Sequence, residues 1–409
     1  MFESRVKIVI LGGGISGLSA AFYGRKKYKN AQITLIEKTD RLGGWMQTRV
    51  EKGFLFEWGP RTFALDRCPH LLNLIEEIGL KEQLIYSDPC AKRRFLWYKG
   101  KLRPMVFFLP KLILSLLREP FIAKGDQADE SIYDFVSRRL GSHTATLLID
   151  AMTLGIYAED SHQLSIRSCF PFLYQWEQQR GSLTLGALPF LFSKRKKRGL
   201  FTLQKGMQTL ISALAEQSKA DICLNAAIEE IRPDGVVANG KFYPADFVIS
   251  ALSGSVIGCL TGLWKDFRET HVEIVHLVFR GEVLPKKGFG YLVPTSEKEN
   301  LLGMVWDSAI FPQQNTRGET RITAIMRTSS IEEVLDCMQR HLGVSTPPIL
   351  ASMHNAKGAI AKFYVGYEER LACFEKEIKQ RYPSLLLLGN YLRGVSVDTC
   401  ISLARQLFQ

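Results

Sequence analysis

Apolar positions along this chain change period in a readable order. Val6-Lys7-Ile8-Val9-Ile10-Leu11 is a near-continuous apolar run, which predicts a strand buried on both faces. Gly12-Gly13-Gly14-Ile15-Ser16-Gly17 follows, and Leu18-Ser19-Ala20-Ala21-Phe22-Tyr23 continues as a helix whose small residues let a sheet lie close. Gln32-Ile33-Thr34-Leu35-Ile36 is a second strand, ending in Glu37, 20 residues beyond Gly17. This order carries a dinucleotide-site reading, with a plain βαβ turn as its rival: glycines let the backbone turn tightly and approach a pyrophosphate at a positive helix N-terminus, and an acid at the second strand tip accepts hydrogen bonds from ribose hydroxyls.

Further along, Lys52–Thr62 reads as a strand-like run with a Gly-Pro turn, and Leu71–Leu80 has helical periodicity with a glycine stop. Arg94–Leu102 reads as a hairpin around Lys99-Gly100. Residues 104 to about 195 are mostly helical and end in the basic cluster Lys194–Arg198, read as a solvated loop or a membrane or ligand contact. From 200 to 252 the pattern is again α/β, with a buried strand at Phe247–Ala251; from 271 to about 329 strands dominate. Leu385–Leu388 is a last buried strand, and a closing helix begins near Val397.

Composition changes this picture in three places. With 409 residues, 46% hydrophobic and 23% charged, the chain is globular and long enough for two or three lobes. Lys plus Arg exceed Asp plus Glu by 53 to 41, a formal net +12, which suits an acidic ligand or an anionic membrane surface. No nucleic-acid motif accompanies the charge, so nucleic acid is not expected as a partner. Eight scattered cysteines include no C-x-x-C, and no His pair stands at ligand spacing; no metal site and no disulfide framework are expected. The segment 104–117 is apolar but broken by Pro110 and Lys111 and shorter than the roughly 20 residues of a spanning helix. It reads either as an interfacial helix, with Lys111 and Arg118 at headgroup level, or as a core helix. Nothing at the start resembles a signal peptide, because the glycine turn at residue 12 has to stay attached; a cytoplasmic location is expected, and a peripheral seat on the inner face of the cell membrane is left open.

Glu37-Lys38-Thr39-Asp40-Arg41-Leu42-Gly43-Gly44-Trp45 resembles the E-x-x-x-R-x-G-G extension of amine-oxidase-type flavoproteins, which implies FAD. Gly155-Ile156-Tyr157-Ala158-Glu159-Asp160 and Leu164–Pro171 resemble the G-V-x-A-G-D…L-S-x-x-x-x-F-P signature of the protoporphyrinogen oxidase family within that group. Gly59-Pro60-Arg61-Thr62, Gly288–Pro294 and Gly394–Val397 fit as well. The resemblance implies an α/β chain: a Rossmann-like FAD-binding domain over 1–85, 196–255 and 361–409, a helical membrane-associated lobe over 86–195, and an inserted mixed-sheet substrate domain over 256–360. It implies FAD held by Gly12, Gly13, Gly14, Ile15, Ser16, Gly17, Glu37, Lys38, Arg41, Gly43, Gly44, Trp45, Gly59, Pro60, Arg61, Thr62, Ile228, Gly389, Val395 and Val397. The helix after Gly394 either aims its positive end at the flavin or merely packs.

For the substrate, the resemblance implies a porphyrinogen undergoing a six-electron oxidation, with oxygen as acceptor and hydrogen peroxide released. Arg94 is the candidate propionate partner, with a surface arginine as its rival; Gly155 gives the macrocycle room or is a structural glycine; Leu292 and Met326 are apolar walls or ordinary core. No catalytic Ser-His-Asp, Cys-His or paired-carboxylate set is nominated, because the flavin carries the redox chemistry. A homodimer is left open. Departures are Ala361–Tyr367 in place of P-Q-Y-x-x-G-H, Asp398 one place early, and Lys205 before Gly206. A coproporphyrinogen III oxidase on the same fold stays as the nearer alternative. A non-enzymatic carrier like the GDP-dissociation inhibitors stays as the distant one, with Glu37 and Arg41–Gly44 against it.

Overall fold

The computed structural model describes residues 5–192, 199–328 and 330–409. The basic cluster Lys194–Arg198 lies outside the described residues. The chain divides into two compact units: Met1–Ile85, Lys197–Glu269 and Glu369–Gln409 form one, and Tyr86–Lys196 with Thr270–Glu368 form the other.

The first unit is built on a five-stranded parallel sheet. β1 (Lys7–Leu11) lies between β2 (Gln32–Ile36) and Phe247–Ser250, with Asp221–Cys223 and Leu385–Leu387 at the edges. Both faces of β1 are covered, as its apolar run predicts: Val9 and Ile10 are almost wholly buried. α1 (Ile15–Lys27) packs Leu18, Ala20 and Ala21 into the core with Ile10, Leu35, Leu214 and Ile401. Lys52 and Gly53, both at positive φ, turn Thr48–Glu51 back into Phe54–Glu57. The predicted helix near 71–80 runs Pro69–Glu77 and stops at Gly79, φ +78°.

Residues 86–196 and 270–368 share one seven-stranded sheet. Its order is Leu350–Ala361, Glu269–Phe279, Thr320–Met326, Leu301–Val305, Gly290–Leu292, Arg94–Tyr98, Lys101–Pro104. The predicted hairpin thus belongs to the strand-rich region: Arg94–Leu96 pairs in parallel with Gly290–Leu292. Side chains alternate between faces. Phe95, Trp97, Tyr291, Ile322, Ala324 and Met326 face helix Ile331–Leu342, whose Val334, Cys337 and Met338 close that core. The other face carries Leu96, Leu292, Ile274 and Ile325 and meets Ala151, Leu154 and Ala158.

Segment 105–117 is not core. Helix Leu109–Arg118 buries none of its residues; Val106, Leu117 and Phe121 are 65%, 67% and 90% exposed, and only Phe108 turns inward beside Leu96. Among the described residues no helix is long and apolar enough to cross a membrane. Behind the strip sits a fully buried ion pair. Glu119 accepts from Arg139 Nε (2.8 Å), Ser182 Oγ (2.5 Å), Leu183 N (2.7 Å) and Thr184 N (3.0 Å), so one carboxylate caps helix Leu183–Phe192 and neutralises Arg139. Arg139 also donates to the carbonyls of Ile122 (2.8 Å) and Gly181 (2.7 Å). These four donors hold the Glu119 carboxyl below its ordinary range despite the opposing effect of burial. Removing Glu119 takes away the closest partner of a buried charge and leaves Arg139 only Glu177 Oε1 at 3.4 Å, so Glu119→Ala should destabilise this unit by about 3 kcal/mol. Denaturant unfolding of the variant measures this; a loss under about 1 kcal/mol would show the pair to be dispensable.

Candidate functional site

The cofactor candidates gather at the carboxyl ends of the parallel strands, where open α/β sheets bind ligands. Gly12 leaves β1 at φ +99°, and a Cβ on Gly17 would lie 2.0 Å from the Gly12 carbonyl oxygen. A Cβ on Gly13 would meet Leu42 Cδ2 at 2.5 Å. Gly14 caps α1 without a side-chain acceptor and no acid stands in the first turn, which leaves the positive helix end to a ligand anion. Ile15 and Ser16 begin that turn, with Ser16 buried.

The second glycine pair closes over the first. Gly43 N donates to Gly13 O (2.8 Å), Gly14 and Gly43 form a parallel bridge, and a Cβ on Gly44 would stand 3.3 Å from Gly14 Cα. Glu37 at the tip of β2 accepts from Gly13 N at 2.7 Å through Oε2, and from Thr39 N (2.9 Å) and Oγ1 (2.8 Å) through Oε1. An ionised carboxylate has about four acceptor positions, so Oε2 keeps capacity for a ribose hydroxyl. Arg41 folds onto its own loop, donating to Gly44 O (2.8 Å) and Leu42 O (3.3 Å); burial and the neighbouring Arg49 charge lower its guanidinium from the ordinary arginine value. The paired glycine loops, which any Cβ would fill, and the acid beside them fit a dinucleotide.

The other candidates reach this edge from later segments. Ala226 N and Asn225 N bond to the carbonyls of Glu37 (2.9 Å) and Thr39 (2.9 Å), which brings the strand beginning at Ile228 beside β2. Leu388 N bonds to Ser250 O (2.7 Å), so Gly389, at φ +143°, follows the end of the last strand. Val395 is half-buried and Val397, buried, opens helix Val397–Gln406 behind the cap Ser396. Lys38 and Trp45 are exposed; Gly59 packs on the Trp45 carbonyl, and exposed Pro60 and half-buried Arg61 and Thr62 continue from it.

Two acids in this unit escaped the sequence reading. Glu57 is buried and accepts from Thr48 Oγ1 (3.0 Å) and Met207 N (2.7 Å) at the start of helix Gln208–Ser218. Asp398, noted in the sequence only as displaced, accepts from Leu71 N at 2.8 Å and caps Pro69–Glu77. The signal for Glu57 was an acid closing the apolar run Phe54-Leu55-Phe56.

In the other unit, three of the four substrate candidates share a sheet face. Leu96 pairs with Leu292, and Arg94 with Gly290, one period along the same strands. Gly155 meets that face: a Cβ there would lie 3.0 Å from Leu292 Cδ2. Arg94 is exposed, with its guanidinium 4.8 Å above the Phe289 ring. Met326 is separated from them. It is wholly buried and points to the opposite face, in the core under helix Ile331–Leu342, because the strand alternation sends 322, 324 and 326 there. Arg167, the arginine of the stretch Leu164–Pro171, pairs with Glu368 (2.8 Å) and donates to Ala128 O (3.0 Å). Lys362, in the departing stretch 361–367, forms an ion pair with Glu159 of the signature stretch.

The family model for flavin containing amine oxidoreductases matches residues 15–343. A protoporphyrinogen oxidase of Bos taurus is 31% identical over 98% of this chain and 97% of its own length, and that of Homo sapiens 30% over the same shares. A coproporphyrinogen III oxidase of Bacillus subtilis is 26% identical over 98% of this chain and 97% of its own. A solved protein of Exiguobacterium sp. 255-15 superposes with a TM-score of 0.85 at 23% identity, covering 99% of this chain and 98% of that one. Putrescine oxidase bound to putrescine superposes at 0.71 and 16% identity, over 99% and 98% of the two chains; both likenesses concern the fold. The chain belongs to the flavin containing amine oxidoreductase family and is an FAD-dependent oxidoreductase.

Proposed function

We propose that this chain oxidises protoporphyrinogen IX to protoporphyrin IX in haem biosynthesis, with oxygen as acceptor and hydrogen peroxide released. The observation that carries the reading is the near-complete, 31% identical match to a protoporphyrinogen oxidase. FAD, when bound, takes up electrons from the porphyrinogen as hydride equivalents. The chain supplies position and electrostatics. Gly12–Gly17 and the α1 N-terminus receive the pyrophosphate, Glu37 the ribose, and Arg41 with Gly43 and Gly44 covers the phosphates. Lys38, Trp45, Gly59–Thr62, Ile228, Gly389, Val395 and Val397 complete the surround. Arg94 pairs with a propionate of the substrate, while Gly155 and Leu292 leave a low apolar floor for the macrocycle. Burying that macrocycle without a cation for its carboxylates would strand a charge, which is why Arg94 is assigned there. No side chain is assigned as a proton-transfer catalyst.

A second reading, coproporphyrinogen III to coproporphyrin III, is favoured by the Bacillus subtilis relative. Anaerobic flavin reduction decides between them: faster bleaching by the two-propionate porphyrinogen supports the first, and faster bleaching by the four-propionate one replaces it. The reading includes a peripheral seat on an anionic membrane through the exposed apolar strip 105–121 and the basic balance of the chain.

Glu37→Ala should weaken FAD binding by about 1.5–3 kcal/mol, the range for hydrogen bonds to a charged group. Flavin retention during dialysis reads this, and unchanged retention removes Glu37 from the ribose. Arg94→Ala should lower kcat/KM by roughly 10- to 150-fold with the flavin spectrum unaltered, and lysine should restore it only in part. Steady-state kinetics check this; an intact kcat/KM, or loss of flavin, makes Arg94 a surface or structural residue. Anionic liposomes should bind the protein at low salt and release a fraction at high salt, and Ile113→Glu with Leu117→Glu should abolish binding. Sedimentation with liposomes measures it, and equal binding by the double variant refutes the strip.

A further inference from the structure

The unit that carries Arg94 also holds, on the face of its sheet under helix Ile331–Leu342, a cluster the proposed reaction does not use. Cys337 and His341 stand one turn apart on that helix, and Glu299 reaches them from just before the strand Leu301–Val305. One potential ligand atom from each lies within 4.8 Å of the others. His341 Nε2 is 3.2 Å from Glu299 Oε1, and Cys337 Sγ 3.8 Å from Glu299 Oε2. A cation already stands among them. The Arg340 guanidinium donates to the two Glu299 oxygens at 2.7 and 2.9 Å and to Cys337 Sγ at 3.3 Å, and lies 3.3 Å from His341 Nε2.

We propose that Glu299, Cys337 and His341 form a binding site for a thiophilic divalent cation, represented by Zn2+, and that Arg340 is the counter-cation displaced when it loads. Thiolate, imidazole and carboxylate are the donor set zinc accepts. The imidazole is aimed in advance: its Nδ1 meets Tyr291 OH at 3.0 Å and its ring stacks 3.8 Å from Trp97, leaving Nε2 toward the cluster. Such outer contacts fix the ring and nitrogen of a ligating histidine. Glu299 presents both carboxylate oxygens to the cluster, where Arg340 now holds them at 2.7 and 2.9 Å. Cys337 ligates as a thiolate, so loading the metal releases the thiol proton to solvent.

Exchange conserves charge. Carboxylate, thiol and guanidinium sum to zero, as do carboxylate, thiolate and a divalent ion. Arg340 has somewhere to go: its side chain is 44% exposed, and its Nε keeps Asp336 at 2.9 Å one turn back. An open cleft of about 410 Å³, lined by Trp97, Lys286, Arg340 and His341 among others, borders the cluster on the Arg340 and His341 side. The sequence reading expected no metal because it sought paired histidines or C-x-x-C; Cys-x-x-x-His on one helix face, completed by an acid 38 residues earlier, has neither form.

The test uses chelator-stripped full-length protein, Zn2+ alone in competition with a chromophoric chelator, and Co2+ absorption as a reporter of thiolate ligation. The wild type should take up one Zn2+ in a Cys337-dependent manner and show a thiolate-to-Co2+ band. Cys337→Ser should abolish the band, and Cys337→Ser and His341→Ala should each weaken Zn2+ binding by at least the roughly 10- to 100-fold that loss of an outer-shell partner costs. Arg340→Met should tighten it by about tenfold or more, because the competing cation is gone. Thermal melts establish that each variant is folded, and Glu299→Gln replaces any that is not. Absence of a Cys337-dependent band in the wild type overturns the proposal, as does weaker Zn2+ binding by Arg340→Met or unshifted affinity in Cys337→Ser. None of these outcomes depends on porphyrinogen turnover, so the proposed function can fail while the metal site stands.

Discussion

The contact between Gly17 and the Gly12 carbonyl is the constraint from which the nucleotide-binding unit follows. A Cβ at position 17 would come within 2.0 Å of that oxygen, so α1 can begin directly above the end of β1 only with hydrogen there. This closeness brings the amide end of α1 to the sheet edge and lets Gly13 donate to Glu37 at 2.7 Å. The second loop is then held to the first by Gly43 N to Gly13 O. One hydrogen-for-methyl choice thus ties strand end, helix start, ribose acid and phosphate cover into one cradle.

Buried acids serve a common purpose elsewhere in the two units. Glu57, Asp398 and Glu119 each take amide donors at the start of a helix they do not belong to. Helix starts leave four N–H groups unpaired, and a carboxylate there satisfies one or two of them while meeting the positive end of the dipole. Because the acid comes from a distant segment, the cap also fixes where that segment lies. Glu119 goes further by pairing with Arg139, so one side chain caps a helix and, together with Glu177, resolves a buried charge.

The substrate unit depends on strand alternation. One face of its seven-stranded sheet is sealed by helix Ile331–Leu342, and the other carries Arg94, Leu96 and Leu292 toward Gly155. The same alternation takes Met326 away from them, although its residue type matched a wall. The sealed face is not inert, since the Glu299, Cys337 and His341 cluster lies within it around a guanidinium.

Local pattern determined the nucleotide unit, because its signals are contiguous: β1, the glycines, α1, β2 and Glu37 occupy 31 residues from Lys7, and near neighbours in sequence have to meet. The hairpin at Lys99-Gly100 was legible for the same reason: its two turn residues, both at positive φ, join strands that are adjacent in sequence. Periodicity could not say whether 105–117 faced core or solvent, since an amphipathic stripe is the same pattern whatever covers it. Nor could it show that the hairpin extends a sheet made mostly of residues beyond 270, that Asp398 caps a helix 327 residues earlier, or that Cys337 and His341 meet Glu299. Those contacts join segments far apart in the chain, and only the packed tertiary structure brings such segments to one place.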